Sequence, residues 1–291
     1  LIGYCVRTCR APRLWERIGH VINRRTGLVC MLLAAVLGAM TAYGQQVRQF
    51  GGRQRFAYPP AATVDSYDGA FPLCRLAYRG RAWSTDYPDA DYNFSTRLSE
   101  LTKTVVGRTP SGEVRPLIVR PTDDALFQCP FVMLWQAESL FFNEEDAVRV
   151  REYLLKGGFL WSDDSWGTFA WDNFESEMAK VLPEPQYRFV DLPPTHPMYR
   201  TFFELPKVPQ IPAINYWLGT GGDTSEQGAD SAEVHVRGIV DARGRVMVLS
   251  THNTDIADGW EREGVDARYF RQFSVDSYAV GINVMLYTMT H

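Results

Sequence analysis

The sequence predicts a doubly wound α/β domain, a mainly parallel sheet with helices on both faces. Two observations carry this expectation. From residue 70 onward, short apolar runs alternate with segments of helical periodicity, as in a sheet covered on both sides. The chain has 291 residues and is 45% hydrophobic, enough to bury one sizeable core.

The elements follow in order. "FPLCRLAY" (71–78) reads as a first strand. "DYNFSTRLSELTKTV" (91–105) sets Phe94, Leu98, Leu101 and Val105 on one helical face. "RPLIVR" (115–120) and "PFVMLW" (130–135) are the second and third strands. Asn143 then caps a helix whose first turn holds Glu144, Glu145 and Asp146, and Gly157 closes it. "FLWSD" (159–163) is a fourth strand, followed by a helix near 172–181 and a strand beginning at "YRFV" (187–190). The span 234–251 reads as two strands around a turn at Asp241–Gly244, and 274–289 as a closing helix. The Pro-rich piece 192–233 is expected to wrap the sheet edge. "GTGGDTSEQG" (219–228) matches neither GxGxxG nor a P-loop, so NAD and NTP binding have no support and no cofactor is expected.

Charge is uneven along the chain. Residues 1–44 hold six Arg and one Glu, so with −4 overall, residues 45–291 stand at −9. That acidic balance argues against nucleic-acid binding, which needs a basic footprint. Residues 1–44 read as a signal peptide or N-terminal anchor. Arg24 and Arg25 supply the positive region, 28–40 the apolar stretch, and Ala42 and Gly44 the small residues of a cleavage site. The apolar stretch is short for a membrane span, which needs roughly 20 residues. Residues 45–69 read as a flexible tether and 70–291 as one α/β domain. The expected setting is therefore the periplasm or cell envelope, with the membrane touched only through the N-terminal segment. Cys74 and Cys129 are the cysteines beyond the presequence. They read as two small buried side chains, although an exported protein also permits a disulfide between them.

In a doubly wound sheet, ligands bind beyond the carboxyl ends of the strands. Polar residues there include Trp83, Asp86, Asp91 and Asn93 after the first strand, and Gln136 and Glu138 after the third. Asp163, Asp164, Ser165 and Trp166 follow the fourth strand; His252, Asn253, Asp255 and Trp260 follow the last long one. Trp83, Asp91, Asn93, Trp166, Asn253, Asp255 and Trp260 are the expected ligand-binding set.

Five blocks carry a resemblance: "WSTDYPDADYNFSTRLSELTKT" (83–104), "LLKGGFLWSDDSWG" (154–167), "PPTHPMY" (193–199), "GRVMVLSTHNTDIADGWE" (244–261) and "AVGINVMLYTMTH" (279–291). Together they resemble the bacterial family called domain of unknown function 4159. That family in turn resembles the class I glutamine amidotransferase-like fold, a flavodoxin-like sheet. "GGFL", "HPMY" and "GRVMVLSTH" are also similar to the trehalose-utilisation-like branch of that fold. The resemblance implies architecture and often an envelope setting, and brings no assigned activity. Active amidotransferases place a nucleophilic Cys in an elbow after a strand. The matching place here is Asp163-Asp164-Ser165-Trp166-Gly167, so glutaminase activity is not expected.

Three readings remain open. The leading one is a catalytically silent amidotransferase-like domain that binds a small molecule, glycan or envelope protein with its strand-end rim. The second is a hydrolase, glycan-directed or metal-assisted, with catalytic candidates Asp163, Asp164, Ser165, His196 and His252. No compact metal-ligand spacing exists; Asp163, Asp164 and His252 are the weak metal candidates. The third is a purely structural envelope component. Asp163 and Asp164 cannot point the same way if one ends a strand, and at least one of them is expected to cap a helix or bind turn amides.

Overall fold

The computed structural model describes residues 61–80 and 82–291. The expected signal segment and the first part of the tether lie outside these residues. Residues 61–69 do not continue a tether. Ala62 N donates to Ile118 O at 2.8 Å, and Asp68 pairs with Arg115 at 2.8 Å, so this stretch already packs on the domain.

The strands are β1 (Cys74–Leu76), β2 (Leu117–Val119), β3 (Val132–Trp135), β4 (Leu160–Asp163), β5 (Phe189–Asp191), β6 (His235–Val240) and β7 (Val246–His252). The helices are α1 (Asp89–Thr102), α2 (Glu144–Leu155), α3 (Gly167–Val181), α4 (Ile214–Thr220), α5 (Asp258–Glu261), α6 (Ala267–Tyr269) and α7 (Val275–Thr290). The seven-stranded sheet runs β2-β1-β3-β4-β7-β6-β5. Its first five strands are parallel, and β6 pairs antiparallel with both β7 and β5. The sequence thus folds as expected into a mostly parallel doubly wound sheet, with an antiparallel extension at one side.

Alternation along the strands divides the core. Met133, Trp135, Trp161 and Leu249 face α1 and α7, where Phe94, Leu98, Ile282 and Met285 pack. Val132, Leu134, Leu160 and Val248 face α2 and α3, where Val150, Leu154, Phe174 and Met178 pack. Because both faces are covered, the strands carry apolar residues at successive positions.

Local signals explain the helix ends. Asn143 accepts from Asp146 N at 2.8 Å, and the Asp146 carboxylate accepts from Asn143 N at 3.2 Å, a reciprocal cap. Gly157 follows α2 with φ of 108°, a conformation open to glycine. The first helix is shorter than its periodicity suggests. It stops at Thr102 because Lys103 turns left-handed, which leaves Val105 off the helix and 75% exposed. Helix α3 starts at Gly167, five residues before the expected position.

Two further differences matter. The segment 192–233 does more than wrap an edge: Met198, Tyr199, Ile211, Ile214 and Trp217 join the core beside α1 and α7. Prolines interrupt its pattern, so no helical or strand period announces this burial. Cys74 and Cys129 are joined by a disulfide across 55 residues, where the sequence favours two free side chains. Spacing alone does not show that the chain before β3 returns to the start of β1. Among the described residues, no helix is long and apolar enough to cross a membrane.

Candidate functional site

Strands β1, β3, β4 and β7 end on one rim, and three of them leave it through the same backbone device. Gln136 after β3, Asp164 after β4 and Asn253 after β7 have φ of 49°, 49° and 62°. Asp86, in the loop after β1, has φ of 60°. A left-handed non-glycine residue costs about 1–2 kcal/mol, and clusters of such residues mark sites where the fold holds side chains in place.

Asp163 and Asp164 diverge, as alternation requires. The Asp163 carboxylate accepts from Thr251 Oγ1 at 2.5 Å and from Ala257 N at 2.9 Å. It ties down the turn after β7, the structural role expected of one member of the pair. Asp164 turns to the rim. Its Oδ2 accepts from Gln136 Nε2 at 3.0 Å and its Oδ1 from Trp166 Nε1 at 3.0 Å. The left-handed elbow residue is thus Asp164, not Ser165.

The turn fixed by Asp163 presents two more carboxylates. Asp255 Oδ1 accepts from Asp258 N at 2.8 Å. Asp258 Oδ2 accepts from Ile214 N at 2.7 Å and from Tyr269 OH at 2.9 Å. Asp86 reaches the same place from the loop after β1. That loop is held from beneath by Arg75, which donates through Nη1 to Trp83 O at 3.0 Å and Thr85 O at 2.6 Å. Carboxylate oxygens of Asp86, Asp255 and Asp258 lie within 4.8 Å of one another.

This is a buried acidic cluster. Burial first, then the charges of Asp164, Glu261 and Asp258, holds the Asp86 carboxyl well above its usual range. Burial, then Asp164, Asp86 and Asp258, does the same to Asp255. Burial and the adjacent Asp163 push Asp164 up to about 8, and burial pushes Asp163 up to about 7. Glu261 rises to about 7, chiefly through burial, against the pull of Arg262. Arg262 lies 2.7 Å from Glu261 and 3.8 Å from Asp258, whereas Arg75 is committed to Asp91.

Other expected site residues lie elsewhere. Nε2 of His252 meets Gly167 O at 3.0 Å, and its ring neighbours His235 and Trp171, away from the Asp164 group. Burial lowers its pKa to about 4, which keeps the ring neutral. His196 packs against Tyr287, whose hydroxyl accepts from Val246 N at the first residue of β7. Six strand steps, about 20 Å, separate that end of β7 from His252. The two histidines therefore do not converge, and neither stands beside Ser165 as a base. The main chain of Ser165 bridges Thr254, and the residue is buried.

The ligand-binding set is similarly sorted. Asp255 belongs to the acidic cluster, and Trp166 touches it through Asp164. Trp260 is sealed in the core, 4.4 Å from the ring of Phe94 and 5.9 Å from that of Trp161. Asp91 is consumed by Arg75. Asn93 Nδ2 donates to Trp260 O at 2.9 Å. Asn253 accepts from Gly167 N at 2.8 Å and donates to Glu233 O at 2.7 Å, tying the exit of β7 to the first residue of α3 and to the approach to β6. Trp83 is half-buried, and its carbonyl receives Arg75. The sequence places Asp86 on the rim without giving it a role, and gives neither Asp258 nor Arg75 a place there. The lone Arg inside "FPLCRLAY" was the signal for the last.

The order β2-β1-β3-β4-β7 with helices on both faces defines a doubly wound α/β protein of the flavodoxin and amidotransferase-like type, with a carboxylate at its strand-end elbow. Residues 72–289 match the family model described as a domain of unknown function, DUF4159, and the chain belongs to that family. No curated protein matches the sequence.

Proposed function

We propose that this chain is an exported, amidotransferase-like domain without glutamine-cleaving chemistry that binds a ligand at its strand-end rim. One observation carries the reading: three separated chain segments, the loop after β1, the exit of β4 and the turn after β7, deliver Asp86, Asp164, Asp255 and Asp258 to one buried cluster. A core has no need of such a group, because buried charge without a partner is costly. The elbow residue is Asp164, and the two cysteines of the described residues are bonded to each other, which leaves no thiolate at the rim. The disulfide supports an oxidising compartment, in keeping with the signal-like segment 1–44.

The acidic cluster favours cationic or hydroxyl-rich ligands over anions. Thermal melts of the full chain against amino sugars, peptidoglycan fragments, polyamines and divalent cations test the reading. A saturable upward shift with at least one class, abolished by Asp164→Asn or Asp255→Asn, is the expected result. Flat melts across the whole panel would remove it.

A hydrolytic reading is favoured by one feature, the Asp164 carboxyl on a left-handed elbow with its pKa near neutrality, where a proton donor belongs. It requires turnover that disappears in Asp164→Asn while binding persists.

A further inference from the structure

Two carboxylates of the Asp86, Asp255 and Asp258 cluster are held by donors of the fold, and the third has an oxygen that meets none. Asp258 is held through Oδ2 by Ile214 N and Tyr269 OH, and Asp255 through Oδ1 by Asp258 N. Asp86 as a residue retains some exposure, yet its Oδ2 is fully buried and meets no hydrogen-bond donor. An orphaned, buried carboxylate oxygen beside two other carboxylates is an unsatisfied acceptor waiting for positive charge. The protein supplies little of it. Among the described residues, Arg262 is the cation paired with this group, 3.8 Å from Asp258 and nearer to Glu261.

We propose that Asp86, Asp255 and Asp258 bind one divalent, oxygen-preferring metal ion. The proposal rests on the reading of the rim as a binding site and names the ligand class. The donor set is all carboxylate, which suits calcium, magnesium or manganese and not the softer metals that favour Cys and His. Three oxygens within 4.8 Å of one another are close enough to share one ion, and the flexible geometry of calcium, with oxygens at about 2.3–2.6 Å, asks for little adjustment. Magnesium demands near-ideal octahedral geometry at about 2.0–2.1 Å and gives up its waters reluctantly, which suits a cage of protein carboxylates less well. Calcium is therefore the ion expected to bind tightest. The ligands come from the loop after β1 and the turn after β7, so the ion would cross-link two strand exits across β3 and β4.

The experiment is calorimetric titration of the chelator-treated full chain with calcium, magnesium and manganese chlorides, alongside thermal melts. The expected result is saturable binding near one ion per chain, calcium tightest, with a raised melting temperature. Asp255→Asn should weaken calcium at least about tenfold, in line with the loss of a ligand charge. With chelator present, the same variant should melt higher than the native chain because like charges are relieved. Asp124→Asn, at an 86% exposed carboxylate on Asp124, controls for surface charge and should leave binding unchanged. No saturable binding of any of the three ions up to about 10 mM, well above the weakest range of extracellular calcium modules, overturns the metal. The rim reading then stands or falls separately, on whether an amino sugar or polyamine shifts the melt in a way Asp255→Asn abolishes. Calcium binding that Asp255→Asn leaves intact would overturn the assigned ligands.

Discussion

Arg75 and Asp91 form an ion pair from which water is wholly excluded, with both side chains 0% exposed. Arg75 lies in the middle of β1, its guanidinium 3.5 Å from the ring centre of Trp135, and Nε donates to Asp91 Oδ1 at 3.2 Å. Its remaining donors hold the carbonyls of Trp83 and Thr85, either side of which the chain must turn to present Asp86. One buried cation thus fastens α1 to the sheet and shapes the first loop of the site.

Replacing Arg75 alone should be severe. Arg75→Met leaves Asp91 buried and unpaired, a loss of about 3–5 kcal/mol. Arg75→Met combined with Asp91→Leu should recover most of that stability, since an apolar pair avoids desolvation. The double variant still lacks the donors to Trp83 and Thr85, so it should fold yet lose ligand affinity at the rim. Urea melts and binding on the same samples separate the two effects.

Asp163 and Asp164 should respond oppositely to amidation. Asp163→Asn cannot accept from both Thr251 Oγ1 and Ala257 N, and should cost about 1–3 kcal/mol. Asp164→Asn removes a charge from the crowded rim and keeps an acceptor for either Gln136 or Trp166. It should be neutral or stabilising by about 1 kcal/mol at pH 8, read as a rise in melting temperature of about 2–4 °C.

Stability should fall with rising pH in the presence of a chelator. Asp163 and Asp164 stand at about 7 and about 8 in the folded chain, against a usual value of 3.8. Between those limits the folded state holds protons that the unfolded state has released, so their stabilisation is complete in acid and lost as pH rises through 8. His252, held at about 4 against 6.5, acts in the other direction and weakens the fold as pH falls below 6.5. The unfolding free energy from urea melts should therefore increase on going from pH 8 to 6.5, by roughly 2 kcal/mol, and go on rising more gently below, where His252 offsets one of the two carboxyls. An increase in stability toward alkaline pH would contradict the buried placement of the two aspartates.

The Cys74–Cys129 bridge closes a long loop, with a sequence separation of 55 residues. A cross-link of that span contributes about 4 kcal/mol by restricting the unfolded chain. Cys74→Ala with Cys129→Ala should lower the melting temperature by on the order of 10 °C. Ligand binding to the surviving folded fraction should be unchanged, since Cys74 opens β1 at the end remote from the rim.

The sheet was legible because covered strands announce themselves as short apolar runs, and the strand-end rule then directed attention to Asp86, Gln136, Asp164 and Asp255. The individual roles were not legible. Whether a carboxylate faces a pocket or a backbone amide depends on one step of strand alternation and one φ angle, which separate Asp163 from Asp164. Trp260 reads as a rim residue because it follows the polar run after β7; the chain doubles back there, and the indole inserts between Phe94 and Trp161. His196 was misplaced because 192–233 has no period from which to fix its course. The DUF4159 resemblance, carried by separated blocks, agrees with the family match over 72–289.

The left-handed backbone at Gln136 and Asp164 sets stability against usefulness. Glycine would take either conformation freely, relieving a cost of roughly 1–2 kcal/mol at each position. Either change would also strip an amide or a carboxyl from the acidic cluster at the rim. Laboratory selection for heat resistance alone should therefore drift toward an inert scaffold, with these two positions among the first to lose their side chains.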